Sequence, residues 1–411
     1  MNKKIRKEFP FYKSFKGIYA DSACQSLIPK CFIESVTEFY SMMSSCVYSS
    51  NYDLASEVTE KLEDARLEIA KFISARESSE IICNQGRSES ANILAESFNL
   101  KNKQNTSILL DIRNHGSCIL PFADSSIKRD YKADFFYLNP LETDFLSNYE
   151  AEIKRDKLSL ILIPICCPLS GNAYPIKEMI QIAHDHDTLV CVDGSIGLSF
   201  VPIDVNTINT DFLIMDMNLL GAGTGLGCLY GKADLFAEMS PNRIGSKSAI
   251  TSTIKNNKVK SSFKNAPENF EGSFSNYAEL FGSTSVIKFL NSIGWDEIRT
   301  HRLHLMETIQ KGIELLKNDQ LTSFFPSKVV SEYSVPICSF FSSSFNVFEL
   351  SMLLAMENQT YVGSGDLSLP IFVDKLKMNP GLIRFSFSYY NTVDEINQAF
   401  EKFQNVLELY S

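Results

Sequence analysis

The side chains of this sequence that could do chemistry lie just after its apolar, strand-like runs, at 86–88, 115, 167–171, 193–196, 216–219 and 384. Those are the carboxyl ends of strands, where an open parallel sheet binds its ligands. His115, after SILLDI, is either a ligand-binding imidazole or a satisfied structural histidine. Asp193, in VDG, is either a ligand-binding carboxylate or only a cap to its own turn. Arg384 sits inside the apolar run GLIRFSFSYY, where a guanidinium either grips a ligand carboxylate bidentately or closes a buried salt bridge. Arg87 and Ser88 occupy the turn after EIICNQG, and Asp216 ends DFLIMD.

Other chemistry finds less support. GAGTGLG (221–227) carries no lysine and precedes a strand, which argues against a phosphate-binding loop or a dinucleotide fingerprint. Cys166 and Cys167 are adjacent and no Cys-x-x-Cys occurs, so no metal site is expected. His184 and His186 end a helical pattern beside acidic residues and read as solvated surface, and the lysine-rich 247–264 reads as a solvated loop.

The elements that must position these groups are legible from apolar spacing. Leu54, Val58, Leu62, Ala65, Ile69 and Phe72 mark one face of a helix. Strands follow at 80–86, 107–112, 158–166, 188–194 and 211–217, with helices at 88–98 and from Pro175 onward. Continuous apolar strands alternating with helices predict an α/β fold, a mostly parallel sheet sandwiched by helices. The Ser-, Asn- and Lys-rich stretch from about 240 to 275 reads as a long surface or interface loop. A smaller α+β unit follows, with helices from 276 and around 295–316 and a last strand at 381–390. Thr392 with Glu395 three residues on is a capping-box pattern opening the final helix. The expected division is an N-terminal arm 1–18, a large domain 19–270 and a small C-terminal α+β domain 271–411.

At 411 residues, with 44% hydrophobic and 21% charged positions, the chain has ample material for a core and is not a disordered sequence. The 39 basic against 49 acidic residues leave −10, which argues against nucleic acid or an anionic membrane as partner. The basic start lacks an apolar segment behind it and 158–169 is too short to span a bilayer. Ten dispersed cysteines read as free thiols, and the expected location is cytoplasmic.

The stretches YADSACQSLIPK (19–30), CNQGRSESANIL, RNHGSCILPF, SGNAYPIKEM, LVCVDGSIGL, VPIDVNTINTDFLIMD, GLGCLYGK and IRFSFSYYNTVDEI (383–396) carry a resemblance in their order and distances. The chain resembles the cysteine desulfurases and selenocysteine lyases of the class V aminotransferase group, pyridoxal-phosphate enzymes of fold type I. The resemblance covers nearly the whole chain and implies a large domain of that fold type. It places His115 at a ring-stacking histidine, Asp193 at the partner of the pyridine nitrogen and Arg384 at the binder of the substrate carboxylate.

Elsewhere the resemblance implies loss. The family's Ser-x-His-Lys segment reads Asp216, Met217, Asn218, Leu219, so Leu219 falls on the imine-forming lysine, or Asn218 with a one-residue shift. Neither is a nucleophile. Asp216 falls on a phosphate-binding serine and Phe274 on a phosphate-binding threonine. Pro168 replaces an asparagine at the ring hydroxyl, and Ile196 a glutamine in the same shell. The loop 362–370, Ser368 included, lacks the persulfide cysteine. Arg87, where relatives carry threonine, is expected to supply a cation to a phosphate or to pair with Asp216. The retained pocket is expected around His115, Asp193, Arg384, Arg87 and Ser88. The resemblance thus implies a homodimeric homologue that is not a working desulfurase but a pseudoenzyme or partner protein. The alternative is an enzyme re-purposed for a small carboxylate or amino-acid ligand. No cofactor is expected, or pyridoxal phosphate held only non-covalently.

Overall fold

A computed structural model describes residues 3–98, 107–129, 131–139, 142–272, 276–316, 318–325 and 332–409. Its centre is a seven-stranded sheet in the order Ile81–Asn84, Gly227–Gly231, Phe212–Asp216, Leu189–Asp193, Leu158–Pro164, Ser107–Asp111, Lys132–Phe136. Neighbours from Phe212–Asp216 to Lys132–Phe136 are all parallel, and Gly227–Gly231 runs antiparallel to both strands beside it. Leu158–Pro164 is buried at every position, as a run covered on both faces must be. Successive residues alternate between two apolar layers. Ile161, Val190 and Leu213 pack on one face, while Leu160, Leu162, Cys191 and Ile214 pack on the other. The parallel strands end on one side, and Asp193 and Asp216 are the last residues of theirs.

A five-stranded sheet stands beside it, in the order Ile18–Ala20, Thr360–Gly365, Leu382–Ser386, Ile337–Phe341, Thr322–Phe324. The N-terminal arm thus leads into a strand that pairs parallel with Thr360–Gly365, covering the edge of the C-terminal sheet. Conversely, the helix Tyr277–Ile293 packs on Lys30–Met42 and Asp53–Phe72, burying Leu280, Val286, Ile287 and Leu290. The chain therefore passes between the two layers at points other than 18/19 and 270/271. Each segment goes where its apolar face or open edge is covered, not where composition changes.

The stretch 240–275 differs from the expected loop. It contains a hairpin, Ala249–Lys255 against Lys258–Phe263, turning at Asn256 and Asn257 with φ of 51° and 56°. Its strands are stitched by hydroxyls, Thr251 to Ser262 at 2.7 Å and Ser252 to Ser261 at 2.8 Å. Polar residues on both faces hide the alternation that signals a strand. The glycine run 221–227 serves packing, since a Cβ on Gly223 would lie 2.5 Å from the Phe32 ring. Among the described residues no helix is long and apolar enough to cross a membrane.

The capping box forms as its spacing predicts. The Glu395 backbone N–H donates to Thr392 Oγ1 at 3.1 Å, and the Thr392 N–H donates to Glu395 Oε2 at 2.9 Å. Thr392→Ala should lower the unfolding free energy by about 1 kcal/mol, measured by urea denaturation, while Thr392→Ser should leave it nearly unchanged.

Candidate functional site

The turn after Ile81–Asn84 brings the chain into the helix Arg87–Ser97 through Gly86, at φ 124°. Asn84 Oδ1 accepts the Gly86 N–H at 3.0 Å, which fixes the turn and sets Arg87 on the first helical residue. From there the Arg87 side chain reaches across the strand ends. Its Nε lies 3.7 Å from Asp193 Oδ2 and donates to Ser195 Oγ at 3.2 Å. Ser195 Oγ donates in turn to Asp193 Oδ1 at 2.6 Å and accepts the Asp216 N–H at 3.0 Å. Arg87 and Asp193 are both 4% exposed. Burial pulls the Arg87 pKa down, but Asp193 and then Cys118 and Asp216 outweigh it, so the guanidinium is held charged more firmly than usual.

Arg87 thus pairs with Asp193 and not with Asp216. The Asp216 carboxylate caps the short turn behind it, accepting the Asn218 N–H at 3.2 Å. Its pKa is raised by burial, which the more distant Arg87 only partly opposes. Leu219, on the same turn, is 5% exposed, and Asn218 Nδ2 reaches the Cys24 carbonyl at 3.4 Å.

The second sheet supplies the facing wall. Arg384 is buried, with Nη1 donating to the Pro168 carbonyl and Nη2 to Asp21 Oδ1, each at 3.4 Å. Its Nε has no partner. Burial lowers the Arg384 pKa, opposed by Asp21, and burial raises that of Asp21, opposed by Arg384. Gly363, paired with Arg384 across the strands, makes room for both: a Cβ there would lie 2.9 Å from Asp21 Oδ1.

A cavity of about 320 Å³ lies between these walls, lined among others by Asp21, Arg87, His115, Asp216, Leu219 and Arg384. His115 Nδ1 accepts the Ser117 N–H at 3.1 Å, which leaves the ring proton on Nε2. Burial, then Arg87 and Arg384, push its pKa down to about 2, so the ring is neutral. Ser368 lines the cavity too and accepts the Gly116 N–H on its carbonyl at 2.7 Å. A larger groove of about 550 Å³ opens beside the hairpin, but it lies away from the strand ends and their convergent buried charges.

Four of the five residues expected in the pocket come together. His115, Arg87 and Arg384 line it, and Asp193 lies beneath Arg87 without lining it. Ser88 does not join them, since it is exposed on the first helical turn, facing away from the strand ends. Among the altered positions, Ile196 is half-buried in a recess of about 20 Å³ behind Leu219, and Pro168 contributes its carbonyl to Arg384. Phe274 lies outside the described residues. Among the described residues no lysine lines the cavity. Asp21, Cys24 and Asp366 line it without having been singled out from sequence. Asp21 could have been found by treating YA (19–20) as a strand, since the residue after a strand is a candidate like the rest.

Residues 18–399 match the family model described as aminotransferase class-V. A cysteine desulfurase of Escherichia coli O8 (strain IAI1) is 25% identical over 414 aligned residues, covering 99% of this chain and 98% of that protein. A probable cysteine desulfurase of Streptomyces coelicolor is 27% identical over 75% of each chain. Among solved structures, the cysteine desulfurase CsdA (S-sulfonic acid) from Escherichia coli superposes with a TM-score of 0.86 at 23% identity, covering 99% of this chain and 98% of that one. A C-DES mutant with glycine covalently linked to its pyridoxal-phosphate cofactor gives a TM-score of 0.79 at 17% identity, over 97% and 99%.

The neutral His115 generates a pH prediction. Its folded pKa lies below the ordinary 6.5, so the unfolded chain takes up a proton that the folded chain refuses. Its contribution is therefore present above about pH 6.5 and is lost as the pH falls toward the folded value. Asp21 and Asp216, raised by burial, act in the opposite sense and are unchanged by substitution at 115. His115→Gln should therefore lose less stability between about pH 7 and about pH 5 than the parent chain, read from urea midpoints. Equal losses would mean that His115 titrates normally.

Proposed function

Since this chain belongs to the class V aminotransferase family, we propose that it is a cysteine desulfurase-like homologue without lysine-dependent desulfuration. In this reading it is a pseudoenzyme that holds a small carboxylate or amino-acid ligand non-covalently and serves as a partner or regulator. One observation carries the reading: the Arg87 guanidinium lies against Asp193, the aspartate that the resemblance assigns to the cofactor's ring nitrogen. The position is taken by a cation belonging to the chain itself. Two further features support it. Leu219 stands where the resemblance puts the lysine, and the Asp216 carboxylate stands where it puts a phosphate-binding serine. A carboxylate within about 4 Å of a phosphate dianion costs several kcal/mol at intermediate dielectric. Pyridoxal phosphate therefore does not fit these residues.

The persistence of a polar cavity with a neutral His115 and an incompletely bonded Arg384 favours a second reading, an enzyme re-purposed around that ligand. A homodimer in the cytoplasm fits both readings. Exposed Ile33, Tyr40 and Met42 on one helix and Ile250, Ile254 and Val259 on the hairpin offer apolar surface for a second copy. Ten free cysteines suit a reducing compartment.

The test is spectroscopic. Purified protein mixed with stoichiometric pyridoxal phosphate should show no aldimine absorbance band beyond that of its exposed lysines, and after borohydride no pyridoxyl group on a residue lining the cavity by peptide mass mapping. A trapped adduct there in the parent chain would sink the reading. Leu219→Lys alone should form little adduct, because Arg87 still covers Asp193, whereas Leu219→Lys combined with Arg87→Thr should form more.

A further inference from the structure

The charges around the cavity do not balance one another. Arg87 is committed to Asp193, which lies outside the cavity wall. Arg384 is shared with Asp21 at 3.4 Å, and His115 is neutral. Asp366 is exposed and solvated, and its Oδ1 accepts the Ser368 N–H at 2.9 Å. Asp216 is different. It is half-buried, it lines the cavity, and its side chain accepts only the Asn218 backbone N–H. Among the described residues no cation lies within ion-pair distance of it. Arg87 opposes the burial of Asp216 only from a distance, and a cation delivered into the cavity would meet this carboxylate directly.

The facing wall carries the complementary need. Arg384 is 4% exposed, lines the same cavity, and has its Nε unpartnered and both Nη contacts at 3.4 Å. Nε is enclosed, but Nη1 and Nη2 carry two N–H groups each and make one 3.4 Å contact apiece, which leaves donors for a carboxylate. Ala23, Leu219, Val362 and Leu367 supply apolar surface on the same lining.

We propose that Asp216 forms an ammonium subsite, so that the cavity selects free amino-carboxylates, held by charge at both ends with no covalent bond. The end where the resemblance places a phosphate anchor receives a ligand cation instead. The inference rests on the reading above that the cavity takes a small carboxylate at Arg384. It adds that the ligand must also carry a protonated amine.

The test pairs ligands that differ only in the amine. The full-length protein is titrated calorimetrically with the protein amino acids and 4-aminobutyrate, and with amine-free counterparts such as 4-methylpentanoate for leucine and butyrate for 4-aminobutyrate. At least one amino-carboxylate should bind about ten-fold or more tightly than its amine-free counterpart, as expected for a charge-assisted hydrogen bond. Asp216→Asn, with Asp216→Ser as a second variant should the first fail to fold, should erase that preference, the amine-free acids binding to the variant at least as tightly as to the parent chain because a negative charge leaves the cavity lining. If amine-free acids bind as tightly as their amino forms, the ammonium subsite is overturned while the carboxylate site stands. If a preference for the amine survives both variants, Asp216 is not its source and the inference is overturned. If no member of either set binds, the carboxylate reading falls and the subsite falls with it.

Discussion

The buried pair of Arg87 and Asp193 is the constraint around which this site is built. Each residue is 4% exposed, and either one alone would be an uncompensated charge in the interior, at a cost of several kcal/mol. Ser195 ties the pair together, accepting from Arg87 and donating to Asp193, and it also holds the Asp216 backbone N–H. Through one hydroxyl, two strand ends and the start of a helix are locked into a single polar cluster. That cluster closes the floor of the cavity and decides which charges are left to face a ligand.

The cavity itself belongs to neither sheet. Arg87, His115 and Asp216 come from the parallel sheet, and Arg384 with Asp21 from the five-stranded one. Asp21 reaches its place because Ile18–Ala20 pairs with Thr360–Gly365, so the beginning of the chain completes a wall made near its end. Gly363 lets that wall close on Arg384. Disturbing the edge pairing would therefore act on the site without touching a ligand.

The strand and helix order of the large domain was legible, because long apolar runs and a clean helical face leave little choice of element. The capping box at Thr392 and Glu395 was legible for the same local reason. The hairpin 249–263 was not, since Ser252 and Ser261 interrupt the apolar face of Ile250, Ile254 and Val259 and its turn is Asn-Asn without a glycine. The passage of the chain between layers was not legible either. Tyr277–Ile293 packs by its apolar face on helices more than 200 residues earlier, and nothing in its own composition names them. Of the site, His115, Arg87 and Arg384 were found from their positions after or within apolar runs. Ser88 followed the same rule and was misplaced, because one step along a helix turns a side chain by about 100°.

By itself the sequence determined the fold class, the family resemblance and the inventory of groups at the strand ends, since all of these follow from local periodicity and the order of motifs. Only the tertiary structure decided their partners. The sequence led to Asp216 as the acceptor for Arg87, whereas in the structure Arg87 lies against Asp193, and both carboxylates are over 100 residues away along the chain. The choice of Asp193 depends on where Ser195 and the capping of Asn218 place those carboxylates in space. A charge inventory is a property of the chain, whereas charge pairing is a property of distances.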